Sequence, residues 1–129
     1  MILLDTHVLI WSQTRSSRLS RLADSAIRRA RRSGGIAISI ITVVETAALL
    51  RKGKLSLRGS FESTLKELIE DVAVKPITFD IAVMTTEFPH DFPSDPADRI
   101  IAATARAEGI PLITADERIL SCPLVKTIW

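Results

Sequence analysis

The sequence predicts an α/β domain built on a mostly parallel sheet. Two observations lead there. Short apolar runs at Ile2–Leu4, Ile36–Ile41 and Leu112–Thr114 have the character of buried strands. Longer amphipathic stretches separate them, several opening on Ser, Thr or Asp and closing near Gly, as helices do. Strands that alternate with helices give a layered α/β sandwich.

Taken in order, Ile2-Leu3-Leu4 is a strand that stops at Asp5, and Val8-Leu9-Ile10-Trp11 begins a short helix. Ser17 to Arg32 carries Leu19, Leu22, Ala23, Ala26, Ile27 and Ala30 at helical spacing, with arginines on the other face and Gly34-Gly35 as a stop. Ile36 to Ile41 is β-branched and reads as the second strand. Thr42 to Arg51 is a helix closed by Gly53, and Ser60 to Asp71 is another. Val72 to Ile77 is a third strand, interrupted by Pro76; Phe79 to Glu87 is a short helix; Phe88 to Asp95 is a loop with Pro89 and Pro93. Pro96 to Glu108 is a helix ended by Gly109. Leu112-Ile113-Thr114 is a strand, Asp116 to Leu120 a helical turn, and Val125 to Ile128 a last edge strand. No repeat or linker divides residues 1–129, so one domain is expected.

Composition narrows the class. Apolar residues make up 47% of the 129 positions and charged residues 25%, against only 5 Gly and 6 Pro, which excludes a disordered or collagen-like chain. The single Cys122 rules out an internal disulfide and fits a reducing compartment. The longest uncharged stretch, Ser33 to Val44, falls short of the roughly 18 apolar residues of a membrane span. The N-terminus lacks a basic segment, and Asp5 breaks its apolar start, so no secretory signal is expected. A soluble, cytoplasmic protein follows.

The net charge of +2 hides an asymmetry: residues 1–58 carry +8 and residues 59–129 carry −6. A basic half suits a polyanion or an acidic protein partner. An acidic half with no phosphate-binding loop points to a metal ion.

Asp5 directly follows the first strand, and Asp116 lies two residues after the strand Leu112–Thr114. The carboxyl ends of parallel strands share one edge, where ligands of open α/β sheets bind. Glu45 and Asp98 fall in the first turns of helices expected to start at that same edge. Each acid also has a plainer role. Asp5 and Asp116 suit helix N-caps. Thr42-x-x-Glu45 matches a capping box. Asp95-Pro96-Ala97-Asp98 is a helix opening with Asp95 as the cap. Their joint placement is harder to explain by capping, because crowded carboxylates repel unless protonated or neutralised by a cation. Oxygen-only donors select a hard ion such as Mg²⁺, or Mn²⁺, which can activate a water for attack on a phosphodiester.

The ordered set of motifs resembles the PIN-domain ribonucleases, and within them the VapC-type toxins of toxin–antitoxin pairs. Ile2-Leu3-Leu4-Asp5-Thr6-His7 is similar to the first acidic motif of that family, and Ser39 to Ala47, with Glu45, to the second. Arg51-Lys52-Gly53-Lys54-Leu55 resembles a connector of one branch. Asp95 to Ala105, with Asp98, is the most specific stretch, and Leu112 to Asp116 matches the last acidic motif. The resemblance implies a three-layer α/β/α PIN-like fold and a metal-dependent endoribonuclease with Asp5, Glu45, Asp98 and Asp116 as its acidic site. It also implies a tRNA or rRNA substrate, a VapB-type antitoxin and a homodimer. Thr6 and Thr114 are candidates to hydrogen-bond the ligands or their water, and Asp95 is an extra acid, a cap first and a site residue second.

Other candidates have simpler alternatives. His7 and His90 suit a general base or a transition metal, but sit at a helix start and in a Pro-rich loop. Arg18, Arg21, Arg28, Arg29, Arg31 and Arg32 form a solvated face or contact RNA phosphates. Arg99 pairs with a carboxylate or touches a substrate phosphate. Trp11 and Trp129 read as packing residues, and with no Tyr a stacking platform is not expected. The absence of Gly-x-Gly-x-x-Gly and Walker loops disfavours a nucleotide-binding enzyme. The competing non-enzyme reading is a catalytically inactive PIN-like module that binds RNA or an antitoxin.

Overall fold

A computed structural model describes all 129 residues. Five strands form one sheet: β1 (Ile2–Leu4), β2 (Ile36–Ser39), β3 (Ala73–Lys75), β4 (Leu112–Ile113) and β5 (Thr127–Ile128). Their order is β3-β2-β1-β4-β5 and every pairing is parallel, with Ile2 opposite Ile36, Leu3 opposite Leu112 and Ile113 opposite Ile128. The sheet, expected to be mostly parallel, is wholly parallel.

The period of two along the strands divides the core between the faces of the sheet. Leu3, Ala37 and Leu112 join one apolar cluster with Ile81 of α5 (Phe79–Met84), Ile101 and Ala102 of α6 (Pro96–Glu108) and Ile119 of α7 (Glu117–Leu120). Ile2, Leu4, Ile36, Ile38 and Ile113 join the other with Val8 and Leu9 of α1 (Thr6–Thr14) and Ala23, Ile27 and Ala30 of α2 (Arg21–Arg32). Helices therefore cover both faces, as a parallel sheet requires, and the three-layer α/β/α expectation holds. Two further helices, α3 (Ile40–Arg51) and α4 (Phe61–Leu68), pack against each other, and α3 also reaches α1 and α6.

The main departures from the sequence-based expectation concern where helices begin. The strand expected over Ile36–Ile41 stops at Ser39, whose hydroxyl accepts a hydrogen bond from the Ile41 amide at 3.1 Å and caps α3. Ile40-Ile41-Thr42-Val43-Val44 is then helical despite its β-branched composition. Packing overrides propensity here, since Ile41 and Val43 pack against the two core clusters and Thr42 is fully buried. Thr42 is consequently no cap, and Glu45 belongs to the second turn rather than a capping box. The helix expected from Ser17 begins at Arg21 behind a Ser20 cap, which leaves Arg18 in the preceding turn. The first helix starts at Thr6, immediately after Asp5.

Arg99 is also corrected. Its Nε donates to the Pro93 carbonyl at 2.8 Å and its Nη1 to the Thr85 carbonyl at 3.0 Å, with the guanidinium 5.8 Å from the Phe92 ring centre. It makes no carboxylate pair. It ties the Pro-rich loop to the end of α5, beside the stacked rings of Phe88 and Phe92, 4.2 Å apart.

Candidate active site at the carboxyl edge of the sheet

β1 and β4 are neighbours, and the Asp5 amide donates to the Ile113 carbonyl at 3.1 Å. That bond sets the first residue beyond β1 beside the end of β4, so Asp5 and the Thr114–Asp116 segment leave the sheet together. Asp5 caps α1, Asp95 caps α6 by accepting from the Ala97 amide at 2.8 Å, and Asp116 caps α7 by accepting from the amides of Arg118 and Ile119. The capping roles expected for these three are real. They do not exclude a site, because all three carboxylates border one cleft with Glu45 and Asp98.

That cleft, of about 370 Å³, is lined by Asp5, Glu45, Asp95, Asp98 and Asp116, together with His7, Val8, Trp11 and Ala115. The four acids named from the sequence are thus brought together, and Asp95 joins them. His7 stands at the rim, exposed, with its ring 5.9 Å from that of Trp11. His90 does not line the cleft.

Hydroxyl groups orient two of the acids. Thr114 Oγ1 donates to Asp5 Oδ2 at 2.8 Å, and the Thr6 amide donates to Asp5 Oδ1 at 2.9 Å. Thr6 Oγ1 lies 2.6 Å from Glu45 Oε1 and 3.1 Å from Thr42 Oγ1. A hydroxyl carries one proton. The shorter, charge-assisted contact takes that of Thr6, so Thr42 supplies the proton between the two threonines. The chain Thr42 to Thr6 to Glu45 is buried at its two hydroxyls. Sequence inspection named Thr6 and Thr114 but missed Thr42. Its only sequence signal is its place one turn before Glu45, a spacing that also matches a capping box.

Asp98 is different. It receives no hydrogen bond, and it is pushed up to about 7 from the ordinary aspartate value near 3.8. Burial is the first cause, and the charges of Asp5, Asp95, Asp116 and Glu45 add to it. Asp5 is raised as well, chiefly by burial and slightly by Asp116, with the bonds from Thr114 and Thr6 and the nearby His7 pulling the other way. The cleft therefore holds uncompensated negative charge. No group of three or more His, Cys, Asp or Glu side chains is arranged to hold a metal ion by itself. An all-oxygen donor set of this kind suits a hard cation that takes one or two carboxylates and keeps its remaining waters.

A wholly parallel, helix-covered sheet with an acid cluster at its carboxyl edge defines a class, and the match is direct. Residues 2–122 fit the model of the PIN domain, and the chain belongs to that family. Among curated relatives it is 37% identical to "Ribonuclease VapC22" of Mycobacterium tuberculosis, over 99% of this chain and 98% of the relative, which agrees with the VapC-type resemblance. Solved structures with the same fold include VapBC2 from Rickettsia felis bound to a promoter DNA fragment. Its TM-score is 0.74 at 17% identity, over 98% of this chain and 97% of that one. A toxin–antitoxin complex from Klebsiella pneumoniae gives a TM-score of 0.70 at 24% identity, over 97% and 95%. At these identities the structures bear on the fold alone. No helix of the chain is long and apolar enough to cross a membrane.

Proposed function

We propose that this chain is a Mg²⁺-dependent endoribonuclease, with Mn²⁺ as a substitute, that hydrolyses RNA phosphodiesters as the toxin of a VapBC-type pair. The convergence of Asp5, Glu45, Asp98 and Asp116 on one cleft, with Asp98 left unpartnered and raised to about 7, is the observation that carries this reading. The full-length similarity to a protein named as a ribonuclease supports the substrate class.

Asp5, Glu45, Asp98 and Asp116 would surround the ion, one or two of them bound directly and the rest through its waters; when bound it supplies a positive charge to the scissile phosphate and lowers the pKa of a water. The chain's own residues prepare that site. Thr114 and the Thr6 amide fix both oxygens of Asp5. Thr6 fixes one oxygen of Glu45 and leaves the other free to accept a proton from an incoming water. Asp116 spends Oδ1 on the α7 amides, which leaves Oδ2 for the cleft. Asp98, about half protonated near pH 7 without a cation, would release that proton to solvent when positive charge enters.

A VapB-type antitoxin is the proposed partner, consistent with the complexes that share this fold. A homodimer is proposed through the region of β3 and α5, where Val74, Ile77, Phe79 and Val83 stay exposed, Phe79 by 82%.

The test is incubation of the purified chain with structured RNA and Mg²⁺ or Mn²⁺. Cleavage is expected, abolished by EDTA and by Asp98→Asn. RNA binding without cleavage under either ion would replace this reading with the inactive binding module.

A further inference from the structure

We infer that the groove between α1 and α2 is a track for the RNA phosphate backbone, leading substrate toward the acidic cleft. This rests on the ribonuclease reading above and adds the surface that grips the polymer. Arg15, Arg21, Arg28 and Arg31 line the groove, with Ser12 and Ser16 among its hydroxyl groups and Asp24 as its single acid. Asp24 is already paired with Arg28 at 2.9 Å. Arg15, Arg21 and Arg31 make no ion pair within the chain, so the groove offers three free guanidinium groups to an external anion. Guanidinium forks and hydroxyl donors are the groups that hold phosphodiester oxygens.

Two further features separate this groove from an ordinary solvated face. Arg15 is the only residue other than glycine with a positive φ, at 52°, in the left-handed conformation that ends α1. Glycine is the usual choice there, and an arginine accepts backbone strain. The side chain at this position borders both this groove and the neighbouring one lined by Lys54 and Arg58. The groove also adjoins the active site along α1, where Trp11 of the cleft and Arg15 of the groove stand one helical turn apart. Trp11 lines the acidic cleft, the guanidinium of Arg18 lies 5.9 Å from the Trp11 ring centre, and the next residue, Ser12, lines the groove. A strand lying along this path meets cations first and the carboxylates last, which places the attraction away from the repulsive cleft.

The test compares the wild type, the Arg15→Gln/Arg21→Gln/Arg31→Gln triple variant and Arg15→Gly. Binding of labelled single-stranded RNA is followed by fluorescence anisotropy in EDTA across a salt series. Loss of three phosphate contacts is expected to reduce the slope of log K against log salt by about 2, and loss of one by about 0.7. In Mg²⁺, the triple variant is expected to keep kcat within about twofold and to raise KM about tenfold, since remote uniform binding is what it loses. Arg15→Gly should weaken RNA binding while raising the melting temperature, because glycine relieves the left-handed strain; a merely structural Arg15 would not move the two in opposite directions. Unchanged salt slopes in both variants would overturn the proposal. So would an unchanged RNA slope in a triple variant that loses binding to polyglutamate, which would assign the groove to an acidic protein segment. A wild type that cleaves no RNA would sink the ribonuclease reading instead, and the EDTA slopes would still decide the groove.

Discussion

The acidic cleft and the arginine groove are neighbours along α1, yet they are built in opposite ways. The cleft draws Asp5, Glu45, Asp98 and Asp116 from four separate parts of the chain, three of them at or near the ends of elements and Glu45 from the second turn of α3. Asp5, Glu45 and Asp116 are held by hydroxyls and amides at 2.6 to 3.3 Å, and Asp98 alone is not. The groove draws its charge almost entirely from residues 12 to 31, on exposed side chains whose one fixed ion pair is Arg28 with Asp24. Chemistry at a single phosphate demands fixed oxygens, and therefore a rigid scaffold. Gripping a polymer demands only charge of the right sign, which mobile arginines supply at little cost in stability.

The largest effect that would sharpen this contrast comes from Asp98. Asp98→Asn removes a charge without removing volume. Activity in Mg²⁺ should fall about 10²–10³-fold, the scale of losing one fixed electrostatic contact to a transition state. In EDTA the same variant should melt at a higher temperature than the wild type, because Asp98 contributes repulsion and no hydrogen bond. Kinetics and thermal melts of one preparation check both. Lower stability in EDTA would mean that Asp98 mainly serves the first turn of α6 and that the cleft is not under electrostatic strain.

A smaller effect is expected one layer out. Thr6→Val deletes the hydroxyl that joins Thr42 to Glu45 and keeps the branched shape. Groups that orient a ligating side chain are worth about 10–100-fold in affinity or activity. Thr6→Val should lose that much kcat, Thr6→Ser should recover most of it, and RNA binding in EDTA should not change. A change in RNA binding would break the division of labour between cleft and groove.

Much of this was legible in the sequence, for reasons that differ by region. The strands Ile2–Leu4 and Leu112–Thr114 were readable because burial on both faces leaves uninterrupted apolar runs, and Asp5 and Asp116 followed from the shared edge of a parallel sheet. The Asp95–Asp98 helix opening was readable because proline and its cap are strong local signals. The start of α3 was not. Ser39 caps it, but Ile40 to Val44 is a β-branched run whose helical state is decided by two cores meeting at the end of the sheet. That error hid Thr42 and gave Glu45 the wrong local role. The tie from Arg99 to Thr85 and Pro93 was equally hidden, since it depends on how a loop folds back.

The smallest effect concerns pH, and its sign follows from the same crowding. Asp98 titrates near 7 in the folded chain and near 3.8 ordinarily, so the folded state binds more protons between those values. Its contribution to stability is complete below about pH 4 and is lost as pH rises through about 7; Asp5, also raised, acts in the same direction. In EDTA the melting temperature should therefore decline from about pH 5 to about pH 8, by a few degrees at most because Asp98 is only half-buried and water screens part of the repulsion. Asp98→Asn should flatten that decline. Added Mg²⁺ should oppose it, with a larger stabilisation at the upper end of the range, because a cation competes with the proton for the same oxygens. None of the crowded carboxylates lines the groove, so the triple arginine variant should keep the wild-type pH profile. A melting temperature that climbs with pH in EDTA would show the carboxylates to be relieved by contacts within the chain, leaving no electrostatic reason for a cation to bind there.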